Sequence, residues 1–322
     1  MKNFAHVNAR SLDEAVAALQ RYGKRAAVIA GGTDLLGKMK DEILPGYPEA
    51  LVNIKTIPEL DLIEEKDGVL SIGALTRLEE IATDKKIIDV YSALAEAARR
   101  CASTHLREMG TIGGNICQDI RCWYYRNQNN RFACLRKGGG KCYAIDGDNR
   151  YHSIFGGSVE EGCYAVHPSD TAPALIALDA MVKTSRRLIK VEEFFQVSVA
   201  KTTVLDDDEI VAAILIPKPF GKSAFIKFAL RKAIDFPIVN CAAAIAVSGK
   251  KVTSARICLN AVYVTPHRAK AAEEAIKGKV ISEANAEAAG AAAVFGAKPM
   301  SYNGYMVQIA KTMVKRAILA CS

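Results

Sequence analysis

Thiols and glycine turns are the groups in this 322-residue sequence whose types and spacing could do chemistry. The stretch RCWYYRNQNNRFACLRKGGGKCYAI, residues 121–145, sets Cys122, Cys134 and Cys142 among six Lys and Arg, and Cys163 follows after twenty residues. Eleven residues separate the first two cysteines and seven the next two. The chain has nine cysteines, an odd number, and no apolar leader at its start, which argues against a disulfide framework. Thiols or metal ligands are the expected states, in a cytoplasmic protein. Zinc is a candidate for four such cysteines, although its familiar paired CxxC spacing is missing.

The second chemical feature is AGGTDLLGKM, residues 30–39. Gly32, Gly37 and Lys38 stand at the spacing of a phosphate-binding P-loop. The position that should bind magnesium is Met39, a poor ligand for a hard cation, so an NTPase is disfavoured. A GxGxxG dinucleotide fingerprint is also absent. A Gly-Gly turn after a strand still exposes several backbone N–H groups that an anion can use, and it is equally a plain β-turn. GTIGGN, residues 110–115, is a second such loop. Two separated glycine loops suit a long ligand with a diphosphate at its centre, and a dinucleotide fits better than a mononucleotide.

The elements that must hold these loops are legible by period. SLDEAVAALQR, residues 11–21, predicts a helix capped by Ser11 with Glu14 three residues on, and AAVIA (26–30) and LVNI (51–54) predict strands. Helices are expected from Leu78 and over 92–102, a helix entering a strand over 169–185, and a strand over 209–217 closed by Pro217. PKPFGK, residues 217–222, reads as a linker. Strand-like stretches follow it, then two alanine-rich helices at 283–297 and 303–320. The net charge is +8, but Lys and Arg alternate with Asp and Glu along the chain, so neither nucleic acid nor a membrane is an expected partner.

Together AVIAGGTDLL, HLREMGTIGGN, HPSDTAPALIALDA and FIKFALRKAIDFPIVN resemble the FAD-binding subunit of the molybdenum hydroxylases, the xanthine dehydrogenase family. The resemblance implies an α+β fold. A two-part FAD domain of the vanillyl-alcohol oxidase type (1–218, with parts 1–55 and 56–218) is followed by a domain like the CO dehydrogenase flavoprotein C-terminus (222–322). It places the FAD pyrophosphate along Val28, Ile29, Ala30, Gly31, Gly32, Thr33, Asp34, Leu35 and Leu36, with Thr111, Ile112, Gly113, Gly114 and Asn115 as the opposite wall. Asp170 matches an acidic position near the adenosine and Lys227 a lysine near the isoalloxazine ring. A helix N-cap and an exposed strand residue are their plain alternatives.

The segment from about 117 to 165 is an insert that most of that family lacks. It resembles the 4-hydroxybenzoyl-CoA reductase β-subunit type, which holds an extra [4Fe-4S] cluster. By that resemblance Cys122, Cys134, Cys142 and Cys163 are its ligands, with Cys117 a competitor for the last place. Trp123, Tyr124 and Tyr125 are expected to shield the cluster, and His105, His152 and His167 to be solvated or capping. The implied function is electron transfer in a heterotrimeric oxidoreductase. Its partners are a molybdopterin-binding large subunit and a [2Fe-2S] small subunit, with ferredoxin or NAD as external carrier. The implied substrate is an aromatic acyl-CoA such as 4-hydroxybenzoyl-CoA, or alternatively a purine or N-heterocycle such as xanthine or nicotinate. The contrasting reading is a zinc-stabilised scaffold subunit.

Overall fold

The computed structural model describes residues 1–44, 46–160 and 162–322 and has an α+β architecture of three sheets. At the N-terminus, strands Ala5–Asn8 and Ala26–Ile29 both pair in parallel with Ala50–Asn53, which lies between them. A central parallel strand is covered on both faces, and all four of its residues are buried. Helix Leu12–Tyr22 lays Ala15 and Leu19 over Val52 and Ile54. Ser11 Oγ caps this helix by accepting from Glu14 N at 3.1 Å.

The second sheet has five antiparallel strands in the order Ile63–Lys66, Val69–Gly73, Val211–Pro217, Met181–Thr184, Leu188–Lys190. Its inward residues Leu70, Ile72, Val182, Ile214 and Ile216 pack under helices Leu78–Thr83, Ser92–Arg99 and Thr171–Ala177. The chain then passes between Pro217 and Lys222 into a four-stranded antiparallel sheet made by Lys222–Phe228, Val239–Ser248, Lys251–Asn260 and His267–Arg268.

Strand Val239–Ser248 is buried on both sides by alternate residues. Cys241, Ala243 and Ile245 face helices Glu283–Ala293 and Tyr305–Leu319. Ala242 and Ala244 instead meet Ala93, Ala97, Ala174 and Ala177 of the second sheet's helices. This alanine-on-alanine contact lets backbone approach backbone, and it joins the C-terminal unit to the rest. Gly290 has the same use, because a Cβ there would lie 2.5 Å from Lys311 O on the neighbouring helix.

The segment that carries the cysteines has little regular structure beyond two short 3₁₀ turns, Gln128–Asn130 and Leu135–Lys137. It has a small core of its own, in which Ile43, Ile120, Tyr125, Ala165 and Val264 surround Cys122, Cys134 and Cys163. One end is tied by the Arg121–Val166 bridge, and the middle is fixed to the C-terminal unit. Asn303 Nδ2 donates to the carbonyls of His152 and Ser153 at 2.9 and 3.0 Å, and Tyr302 N donates to Asn149 Oδ1 at 2.9 Å. The insert thus rests on both units. Among the described residues no helix is long and apolar enough to cross a membrane.

Candidate functional site

The two glycine loops touch. A Cβ on Gly31 would stand 1.9 Å from Met109 O and 3.1 Å from Gly110 Cα, so only glycine permits this backbone-on-backbone approach. Gly32 follows in the left-handed region at φ 72°, turning the chain into helix Leu35–Lys40. On the second loop, Thr111 Oγ1 accepts from Gly114 N at 3.1 Å, and Gly113 abuts Ala74. Three cavities meet at Thr33 and Asp34. The first runs between the loops along Val28 to Leu35, Thr111, Gly113 and Gly114 to Leu205 and Val211. The second runs past Asn115, Cys101 and Asp170 to Ile234 and Phe236. The third opens toward the insert. The first two form a bent channel with glycine backbone at its waist, which fits the chemistry of a dinucleotide with its diphosphate at the bend.

Asp34 does not face that waist as a free carboxylate. Its Oδ1 accepts from Arg126 Nη1 at 2.6 Å and its Oδ2 from Asp119 N at 3.0 Å. Asp119 in turn meets Lys38 Nζ at 3.0 Å and the Tyr125 hydroxyl. Burial opposes the Asp119 charge, but Lys38 and Arg126 outweigh it and hold the carboxyl down at about 2. Lys38, the residue at the P-loop lysine position, is thereby engaged in an ion pair. This knot binds the first glycine loop to the insert. Sequence reading missed Asp119 and Arg126, which stand 85 and 92 residues from Asp34 with no local spacing to mark them.

Asp170 and Lys227 belong together. Lys227 Nζ donates to Asp170 Oδ2 at 2.6 Å and to Arg100 O at 2.8 Å, and Asn240 Nδ2 donates to Asp170 Oδ1 at 2.7 Å. Their side chains are 3% and 5% exposed, so Lys227 is no exposed strand residue. They form one buried pair, of which Asp170 lines the second cavity, so the two stand in contact where the expectation set them apart. Asp170 holds the N-cap position of the helix, but its side chain makes no cap; Ser169 Oγ accepts from Ala172 N at 3.0 Å instead. Burial pushes the Asp170 carboxyl up against the pull of Lys227. Replacing Lys227 by Met strands a buried carboxylate, and a loss of about 3–5 kcal/mol in unfolding free energy is expected by urea denaturation. Adding Asp170→Asn should recover part of it; a single-variant loss below about 1 kcal/mol contradicts the closed pair.

Cys122, Cys134, Cys142 and Cys163 all line one void in the insert, and all are buried. The void is too small for more than about one water molecule. Cys117 is not there; it lines the first cavity. Burial pushes the thiols of Cys134 and Cys142 up and that of Cys122 to about 12. Polar nitrogens crowd the same place. Arg136 Nε lies 3.3 Å from Cys163 Sγ and His152 Nε2 3.2 Å from Cys122 Sγ, while Arg136 Nη2, Lys137 Nζ and His152 Nδ1 are buried without partners.

His152 and His167 correct the expectation of solvated histidines, since both are fully buried. Burial holds His152 down at about 4 and His167 at about 3, so both are neutral. Of the three aromatic residues expected to shield the thiols, Tyr125 is buried and Tyr124 half-buried, whereas Trp123 is 44% exposed. Among the described residues no three His, Cys, Asp or Glu gather as ligands of a single metal ion. The four cysteines instead line one narrow void. A single zinc needs all its sulfurs about 2.3 Å from one point, whereas each thiolate of a cubane binds its own iron. Four buried thiols lining one void, faced by unpartnered Arg136 and Lys137 nitrogens, are a set of soft donors beside positive charge.

Residues 2–219 match the family described as FAD binding domain in molybdopterin dehydrogenase, and residues 224–321 match the CO dehydrogenase flavoprotein C-terminal domain. The chain is 36% identical over 284 residues to the aldehyde oxidoreductase FAD-binding subunit PaoB of Escherichia coli (strain K12), covering 85% of this chain and 86% of that one. It is 28% identical over 321 residues to the carbon monoxide dehydrogenase medium chain of Hydrogenophaga pseudoflava, covering 97% and 94%. The nicotinate dehydrogenase FAD-subunit of Eubacterium barkeri is 27% identical over 293 residues, covering 89% and 84%. A solved structure of carbon monoxide dehydrogenase from Hydrogenophaga pseudoflava superposes with a TM-score of 0.78 at 27% identity, covering 99% of this chain and 97% of that one.

Proposed function

The chain belongs to the family of FAD-binding subunits of molybdopterin dehydrogenases, and on that premise we propose that it holds FAD along the two cavities that bend at Thr33, holds one [4Fe-4S] cluster on Cys122, Cys134, Cys142 and Cys163, and relays electrons between them. The contact of Gly31 with Met109 and Gly110 carries the flavin half of this reading, because it builds a waist of bare backbone where a diphosphate needs N–H donors. The four buried thiols on one void carry the cluster half.

FAD, when bound, exchanges electrons singly or in pairs. This chain's own part is to orient and insulate. Glycine backbone from both loops faces the diphosphate, and Lys227 fixes the charge of Asp170, which lines the second cavity. Arg136 and Lys137 point inward at the thiols, whereas Arg131 and Lys141 are exposed, an outward charge that suits an acidic carrier such as ferredoxin over NAD.

Within the complex we assign substrate chemistry to a molybdopterin-binding large subunit, and we propose a [2Fe-2S] small subunit as the neighbour in the relay. The relative at 36% identity is named an aldehyde oxidoreductase, which supports an aldehyde ahead of 4-hydroxybenzoyl-CoA or an N-heterocycle as substrate. The test is composition and colour of anaerobically purified protein. Flavin and cluster absorbance together, with about four irons and four acid-labile sulfides per flavin, are expected. Stoichiometric zinc sinks the cluster, and a colourless protein sinks both halves. Co-purification with the partner chains and a screen of aldehydes, aromatic acyl-CoA thioesters and N-heterocycles identifies the substrate.

A further inference from the structure

Three cavities meet at Thr33 and Asp34, and a dinucleotide uses two. The third is about 400 Å³, within the range of small-molecule sites. Its walls carry two rings that the other two cavities lack, Trp123 and Tyr151, and one, Phe236, that it shares with the second. Trp123 and Tyr151 stack with ring centroids 5.4 Å apart at 11°, and Phe236 faces in from the loop after strand Lys222–Phe228. Trp123 and Phe236 stay 44% and 42% exposed, more than large aromatic rings with a settled packing partner usually are.

The charged groups of this cavity divide sharply. Lys38 is paired with Asp119, Arg126 with Asp34, and Asp41 takes a hydrogen bond from Gln128 Nε2 at 3.4 Å. Arg121 is different. Its guanidinium lies over the Phe236 ring at 3.8 Å and, among the described residues, has no carboxylate within 4.0 Å. A cation held against a ring, beside two further rings and with its N–H fork unspent, is a recognition element for a flat anion. Cys122 lies on the same wall, so an occupant sits beside the insert's thiols.

We propose that this third cavity binds a small flat aromatic anion, which enters among Trp123, Tyr151 and Phe236 and pairs its charge with Arg121. The proposal rests on the flavin reading only in that the dinucleotide leaves this branch free. The chain supplies its own reporter, because Trp123 is its single tryptophan. Anthraquinone-2,6-disulfonate, a planar dianion, is the probe, titrated into the purified flavin-loaded protein by calorimetry and by tryptophan fluorescence in parallel.

The expected result is one saturable event in both readouts, with flavin content unchanged. Arg121→Ala should weaken it about tenfold or more. Trp123→Phe should keep the calorimetric event while abolishing the optical one. Absence of saturable binding, equal affinity in Arg121→Ala protein, or displacement of flavin by the probe each overturns the proposal. Flavin-free protein sinks the earlier reading instead, and saturable, Arg121-dependent binding to it still supports this site.

Discussion

Cys142→Ser protein, purified anaerobically, is expected to carry less than one iron per chain where the parent carries about four, and to lose its brown absorbance while keeping its flavin bands. The substitution removes a single sulfur from a buried position without changing side-chain shape. Serine offers a hard oxygen to a soft, iron-sulfide core. No other cysteine can replace it, because Cys117, the nearest in sequence to Cys122, lines the first cavity and not the void. Cys117→Ser is therefore the matched control and should leave iron unchanged. Iron loss in the control but not in Cys142→Ser would reverse the ligand assignment.

Gly31→Ala is expected to lower FAD affinity at least tenfold, read by titrating apoprotein with FAD and following flavin fluorescence. The methyl group would sit 1.9 Å from Met109 O, far inside contact distance, and backbone is what must yield. Overpacking of this kind costs about 1–3 kcal/mol, and here the strain falls on the waist where both loops meet. Gly37 supplies the contrast. Nothing lies within 4 Å of a Cβ there, and the residue is inside helix Leu35–Lys40, so Gly37→Ala should leave FAD affinity intact and raise stability by about 0.5–1 kcal/mol. Equal FAD affinity in the two variants would sink the placement of the diphosphate at Gly31. A loss confined to Gly37→Ala would revive the P-loop reading.

Both arguments draw on features that the sequence carried openly. Glycine pairs after a strand, alternating apolar runs such as VAAILIP, and cysteines clustered with cations are local patterns, set by neighbours a few residues away. What was hidden was made by distance. His152 and His167 stand in mixed surroundings, NRYHSI and YAVHPS, that resemble solvated chain; they are buried by residues distant in sequence, Cys122 and Tyr124 against His152, and Phe195 and Asn260 against His167. Asp170 looked like a helix cap because it precedes TAPAL, and only the register of strand Lys222–Phe228 brings Lys227 to it. The alanines of Val239–Ser248 read as a plain strand, yet their small size is what lets two units dock.

The knot of Asp34, Arg126, Asp119 and Lys38 has a kinetic meaning as well. Its contacts close loops of 81 to 92 residues, among the costly long-range steps that slow a chain's search. A chain leaving the ribosome displays the first glycine turn long before Arg126 exists to hold it, so that turn stays unfinished through the synthesis of the whole middle sheet's first half. The first glycine loop and the cysteine segment are therefore expected to reach their final form together, and a pulse of hydrogen exchange during refolding should find the amides of Gly32–Lys40 and Asp119–Arg126 gaining protection with a single rate.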